Sequence, residues 1–236
     1  TITSFGYQAF VRRMALQTDW KVVVVGNASN GSNTDWKIAR YNTDGTLDVA
    51  FGISGIVTKD FGQNDSLNAV EIQSDGKIVV GGYSRGTCDS SSHNVCWTLA
   101  RYNVGGSLDP SFGNGGIVIS DIKSTFNGES IAGLTILEDG KIIAVGSNFN
   151  VAIARYNSDG SLDSAFGNNG KLSIVIPLSD SPPAVYPIYA GYDESGAGGN
   201  VIHVQADGKI MLSGGFSCST CIQHIFLLRL NSSGNF

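Results

Sequence analysis

The sequence predicts an all-β fold, a β-propeller of four-stranded antiparallel blades, and three observations carry that expectation. A strand–turn–strand motif occurs four times, with its Asp residues 56, 64 and 68 positions apart. Two shorter motifs follow it in constant order. No stretch sustains the 3.6-residue apolar period of an amphipathic helix, whereas short apolar runs bounded by Gly, Asn and Asp recur throughout.

Each blade reads as strands A to D. The first motif supplies strand A's end, a turn and strand B in Gln17 to Gly26, Gln73 to Gly81, Leu137 to Gly146 and Gln205 to Leu212. Its centre is Asp75-Gly76, Asp139-Gly140 and Asp207-Gly208, with Asp19-Trp20 in the first copy. Asp-Gly predicts a two-residue hairpin, because Gly takes positive φ without a steric penalty. Strand B, as in Ile78-Val79-Val80, is apolar almost throughout, which suits burial on both faces. The second motif, strand C, ends in Arg40-Tyr41-Asn42, Arg101-Tyr102-Asn103, Arg155-Tyr156-Asn157 and Arg229-Leu230-Asn231. The third motif runs Leu47-Asp48 to Phe51-Gly52, Leu108-Asp109 to Phe112-Gly113 and Leu162-Asp163 to Phe166-Gly167, and leads into strand D, as in Gly116 to Ser120.

These motifs place the units at 10–60, 66–121, 130–176 and 200–236. Gly6 precedes Asp19, and Gly62 precedes Asp75, by 13 residues, so residues 1–5 align with a D strand. That strand would complete the last blade and close a single four-bladed domain over 1–236, covering edges that otherwise invite aggregation. A fragment of a larger array is the alternative.

Composition excludes several classes. Hydrophobic residues are 42 % and charged residues 15 %, so the chain is neither a disordered tail nor a charged coiled coil. Fifteen basic residues against 20 acidic ones, without a Lys/Arg cluster, leave nucleic-acid binding without an electrostatic footprint. No apolar run approaches the roughly 18 residues of a membrane helix, so no membrane insertion is expected. The chain opens Thr1-Ile2-Thr3 with no signal peptide, as a mature form would.

The Asp-Gly-Lys-Ile-Val-Val-Gly block at 75–81, the Ala-Arg-Tyr-Asn blocks and the Gly-Ser-Leu-Asp-x-x-Phe-Gly blocks resemble the delta-60 repeats of secreted or surface-attached bacterial proteins. The resemblance covers nearly the whole chain. It implies a propeller-like domain outside the cytoplasm, extracellular or at the bacterial cell surface, and implies no settled activity or functional residue.

Residues repeated in every blade read as architecture. Arg40, Arg101, Arg155 and Arg229 recur in strand C, and Asp48, Asp109 and Asp163 follow the first three by eight positions. An ion pair within or between blades is expected, since a half-buried Arg needs a partner to offset desolvation. A basic ring binding an anion is the other reading. The loop Asn42 to Asp48 offers alternate oxygen ligands suited to structural calcium. Gly105 and Ser233 replace the aligned Asp44 and Asp159, however, so turn chemistry is favoured and no cofactor or metal is expected.

Function is sought where the repeats differ. The A–B and C–D connections are short and stereotyped, while the D–A and B–C connections, which emerge at the other ends of the strands, vary in length. Tyr83 and Arg85 open one long B–C loop, and His224 closes another. The longest D–A connection, about 177–199, carries Tyr186, Tyr189, Tyr192, Asp193 and Glu194, aromatic and carboxylate groups that suit a sugar or a protein partner. All four Cys lie in variable loops. Even numbers favour disulfides, Cys88 with Cys96 and Cys218 with Cys221, in an oxidising compartment. A four-Cys zinc site would need loops of opposite blades to meet, and a redox Cys-x-x-Cys lacks its βαβ context.

No nucleophile elbow, phosphate loop or zinc-protease motif is present. Glu71 and His203 align on strand A, where they could line a channel, but the acidic residues offer no assignable catalytic pair. The expectation is a non-enzymatic surface recognition or adhesion module for a glycan or protein, able to form a homo-oligomer within a larger surface protein. A polysaccharide hydrolase using Glu71 or Asp193 and Glu194 is the alternative, and a structural tip or spacer is a third.

Overall fold

Short apolar runs punctuated by turn residues satisfy their backbone groups only by pairing with one another. They form fifteen strands, with no helix among the described residues. The computed structural model describes Thr3, Phe5 and residues 8–86, 95–122, 130–147, 151–174, 201–216 and 224–236.

The first sheet runs in order β1 (Ala9–Leu16), β2 (Val22–Ser29), β3 (Thr34–Tyr41) and β4 (Ile56–Lys59). The second is β5 (Ser66–Ile72), β6 (Ile78–Arg85), β7 (Val95–Tyr102) and β8 (Ile117–Ser120). The third is β9 (Ser130–Ile136), β10 (Ile142–Ser147), β11 (Val151–Tyr156) and β12 (Lys171–Ile174). The fourth holds β13 (Val201–Val204), β14 (Ile210–Phe216) and β15 (His224–Leu230). Each sheet is an antiparallel meander, so the expected all-β blade architecture is what forms. The expected closing strand at 1–5 lies outside the described residues except for Thr3 and Phe5, which belong to no strand. The chain divides into two compact units, Thr1–Asp121 with the first two sheets and Ile122–Phe236 with the last two.

Within the first unit, alternate residues of facing sheets build the core. Val23, Val25, Trp36, Ile38 and Phe51 pack with Leu67, Val70, Ile78, Val80 and Tyr102. Within the second, Ile143, Val145, Ile153 and Phe166 pack with Ile210, Leu212 and Leu230. Within a sheet, the second strand approaches the first closely where the first strand bulges. The register shifts between Leu67 and Ala69, opposite Gly82, and a Cβ on Gly82 would lie 1.9 Å from the Ser66 carbonyl oxygen.

The A–B turn departs from the expected two-residue hairpin. Gly76 N donates to Gln73 O at 2.9 Å, and Gln73 N donates to Lys77 O at 2.9 Å, which leaves a three-residue loop, Ser74-Asp75-Gly76. Gly76 closes it at φ 82°, because an ordinary turn matches the strand twist only when a left-handed residue follows. The same bonds form around Gly140 and Gly208, and around Trp20 in the first sheet.

The repeated Arg and Asp form the expected clamp. Arg40 Nε donates to Asp48 Oδ2, Arg101 Nε to Asp109 Oδ2 and Arg155 Nε to Asp163 Oδ2, each at 2.8 Å and buried. Each guanidinium also lies over a ring, Arg40 on Phe51 at 4.6 Å, Arg101 on Phe112 at 4.6 Å and Arg155 on Phe166 at 4.7 Å. Arg40 Nη1 reaches the Val104 carbonyl of the second sheet, and Arg155 Nη1 the Ser232 carbonyl that follows β15. One side chain therefore closes its own C–D turn and ties two sheets of one unit together. Arg229 differs from the other three, being exposed on β15. In the loop weighed for calcium, the Asp44 carboxylate accepts from Thr46 N at 2.9 Å and Thr46 Oγ1 at 2.7 Å, the geometry of an Asx turn.

Candidate functional site

One described part of the variable rim is built where β4 leads to β5 and where β6 ends. Asp65 is its centre. It is wholly buried, and its own N donates to Thr34 O at 2.8 Å. Its Oδ2 accepts from Phe61 N at 3.0 Å and its Oδ1 from Arg85 N at 3.0 Å. A single carboxylate thus holds the D–A connection and the root of the B–C loop in one place.

Aromatic packing reinforces this junction. Phe61 meets Trp36 edge-on at 5.1 Å, and Lys59 Nζ lies 4.8 Å over the Phe61 ring. Trp36 Nε1 donates to Tyr83 O at 3.2 Å. Beneath Arg85, the Ser84 and Thr98 hydroxyls share a buried 2.6 Å hydrogen bond. Arg85 itself is exposed, with its guanidinium 5.9 Å from the half-buried Tyr83 ring. The positions of Tyr83 and Arg85 on β6 correspond to Asn27 and Ser29 on β2, so the aromatic–guanidinium pair is peculiar to the second sheet.

The electrostatics are those of buried acid. Burial drives the Asp65 carboxyl up to about 6; the Arg85 and Phe61 amides pull it down, while Asp60 and Asp35 push it further up. Asp35, buried at the start of β3, is raised by the same desolvation and by Asp60, against its bond from Asn30 and the charge of Lys37. At the other rim the balance reverses. Burial also opposes ionisation of Asp109, but hydrogen bonds from Ser111 and Lys77 and the charge of Arg101 hold it well below the usual carboxylate range.

Of the expected site residues, the structure brings Tyr83 and Arg85 together. His224 begins β15. Tyr186, Tyr189, Tyr192, Asp193, Glu194, Cys88, Cys218 and Cys221 lie outside the described residues. Cys96, buried in β7, is disulfide-bonded. Glu71 lies on β5, its carboxyl raised by burial, and His203 is exposed on β13. Among the described residues, no group of three or more His, Cys, Asp or Glu could hold a metal ion. What the rim offers chemically is a planar fork of N–H donors beside an aromatic face, which suits hydroxyl or carboxylate groups.

Sequence reasoning missed Asp65 and Phe61. A signal was present, because Asp65-Ser66 and Glu129-Ser130 both set an acid before the Ser that opens strand A.

The family model described as domain of unknown function (DUF5122) beta-propeller matches residues 17–51, 73–112, 137–166 and 205–236. No curated protein matches the chain. Among solved structures, an endo-arabinase from Bacteroides thetaiotaomicron is 14 % identical, with 94 % of this chain and 75 % of that one covered at a TM-score of 0.46. A GH43 endo-arabinanase from Bacillus licheniformis is 15 % identical, with coverages of 94 % and 74 % and a TM-score of 0.39. The protein Sqt1 from Chaetomium thermophilum is 14 % identical, with coverages of 89 % and 59 % and a TM-score of 0.32.

Proposed function

This chain belongs to the DUF5122 beta-propeller family, and we propose that it is a recognition module that binds a glycan or a surface protein through its D–A and B–C connections. The observation that supports this reading is the contrast between β6 and β2. Where the first sheet has Asn27 and Ser29, the second presents Tyr83 and a solvent-facing Arg85, anchored from below by Asp65. Function on loops carried by a rigid repeat scaffold is a common division of labour.

In this reading the delta-60 resemblance puts the module on the bacterial surface or outside the cell. The disulfide at Cys96 is in keeping with an oxidising compartment, with Cys88 as its partner and Cys218 paired to Cys221. On the D–A and B–C connections of the later repeats, Tyr186, Tyr189, Tyr192, Asp193, Glu194 and His224 are further candidate ligand-binding residues by sequence.

The test is a glycan-array screen of the oxidised protein beside an Arg85→Ala variant and a Tyr186/Tyr189/Tyr192 triple-Ala variant. Binding that falls at least about tenfold in the variants, at unchanged melting temperature, supports the module. Equal binding by all three removes the site. Turnover of a polysaccharide would shift the weight to a hydrolase using Glu71 or Asp193 and Glu194.

A further inference from the structure

The A–B and C–D rim of the first unit carries apolar groups that its architecture does not require. Trp20 occupies the turn position of Gly76, Gly140 and Gly208 and donates the same hydrogen bond, Trp20 N to Gln17 O at 3.0 Å. It adopts their backbone conformation, φ 67° against 82°, 81° and 78°. An L-residue with a bulky side chain is strained there, and Trp20, at 69 % exposure, gains little burial in return. Strain held without local compensation clusters at functional sites.

Other large apolar residues are exposed on the same rim. Lys21, next to Trp20, bonds Asp48 at 3.1 Å, beside Val49, which is 75 % exposed. Across the seam between the two sheets, Gly52 N donates to Gly105 O at 2.9 Å, which brings together the turns carrying Ile53 and Val104. Ile53 is 85 % exposed and Val104 49 %. The same four repeat positions in the third sheet hold Gly140, Ser164, Asn168 and Ser158, so the fold tolerates small or polar residues at each of them.

The charge around the patch says what covers it. Lys21 and Lys77 reach toward the buried Asp48 and Asp109, and their side chains are only 31 % and 30 % exposed. Asp19 and Asp75, 56 % and 54 % exposed, pair with the same two lysines at 3.6 and 3.4 Å, and Asp44 is exposed on the same rim. The acids are the more exposed members of these pairs, and Asp44 has no ion-pair partner among the described residues, so the charge presented to solvent leans negative. A rim that exposes aliphatic groups and an indole fits a protein side chain better than a sugar, whose hydroxyls need more donors and acceptors.

We propose that this rim is a protein-docking surface centred on Trp20, and that its partner presents an apolar side chain flanked by Lys or Arg. It lies at the opposite end of the strands from Tyr83 and Arg85, and stands or falls separately from the recognition site there.

The test uses the whole protein on a synthetic peptide array. Peptides centred on Leu, Phe or Trp and flanked by Lys or Arg are set against Glu-flanked and Ser-centred controls, with Trp20→Gly and Ile53→Asn as variants. The basic apolar peptides should bind, more weakly as salt is added, and each variant should lose about tenfold or more. Trp20→Gly should also melt a few degrees higher, so its loss of binding cannot come from unfolding. Binding to no peptide, equal binding to the controls, or undiminished binding by both variants would overturn the proposal. So would a dimer, seen by sedimentation, that Trp20→Gly abolishes, since a second copy would then be the occupant.

Discussion

The two ends of the first two sheets handle buried charge in opposite ways. At the A–B and C–D end, Asp48 and Asp109 each meet an Arg and a Lys supplied by the repeat, and their carboxyls are held low against the cost of burial. At the other end, Asp65 is buried with two backbone amides and two neighbouring acids, and its carboxyl is driven up to about 6. The first arrangement stabilises the ionised fold at neutral pH. The second destabilises it, while fixing the position of a unique, solvent-facing Arg85. Copied residues hold the scaffold together; residues used once shape the rim, even at a cost in stability.

The largest effect should come from breaking the copied end. Arg101→Ala leaves the buried Asp109 with Lys77 and Ser111 but no guanidinium, removes the cover from Phe112, and should cost about 3–5 kcal/mol by chemical denaturation. Replacing the pair by apolar residues, Arg101→Met with Asp109→Leu, should cost distinctly less, because no charge is left stranded.

The comparison is sharpened by pH. The Asp65 carboxyl, at about 6 in the fold, lies above its ordinary 3.8, so the folded state binds that proton more tightly. Its contribution is fullest below that ordinary value and is lost as pH rises through the folded one, about 3 kcal/mol in all. Asp48 and Asp109 act oppositely, with stability present above the ordinary carboxylate range and lost in stronger acid. Unfolding free energies measured across pH 4 to 7 should flatten in Asp65→Asn and keep their slope in Asp109→Asn. Equal slopes in both would erase the distinction between the two ends.

A smaller effect tests the bulge beneath the variable end. Gly82→Ala drives a Cβ into the Ser66 carbonyl and should cost about 2–3 kcal/mol in the same assay. The smallest runs the other way. Trp20→Gly relieves a left-handed backbone and should gain about 0.5–1 kcal/mol, which would mark Trp20 as a rim residue kept for something other than stability.

Much of the constant end was legible. Arg and Asp eight residues apart, copied three times, pointed to an ion pair, and that pair forms. The Asp-Gly pairs pointed to hairpins and were right in place but short by one residue, because a left-handed Gly closes a three-residue turn as readily as it sits in a two-residue one. Trp20 broke the Asp-Gly pattern in plain view, but only its φ shows that it keeps the glycine conformation. Of the candidate rim, Tyr83 and Arg85 were legible as the opening of an inserted loop. Asp65 was passed over, since an acid between Asn64 and Ser66 reads as solvated loop until it is aligned with Glu129 before Ser130.

By itself, then, the sequence determined the strands, their order, the repeated clamp and the division into a constant and a variable end. Those features depend on residues within a few positions of one another, where pattern and turn chemistry act directly. Tertiary structure alone decided that Arg40 would reach Val104, that Trp36 would bond Tyr83 and that Asp65 would be sealed beneath Arg85. Such outcomes depend on segments 20 to 64 residues apart arriving at one point, and burial, which sets the charge of Asp65, exists only once they have met.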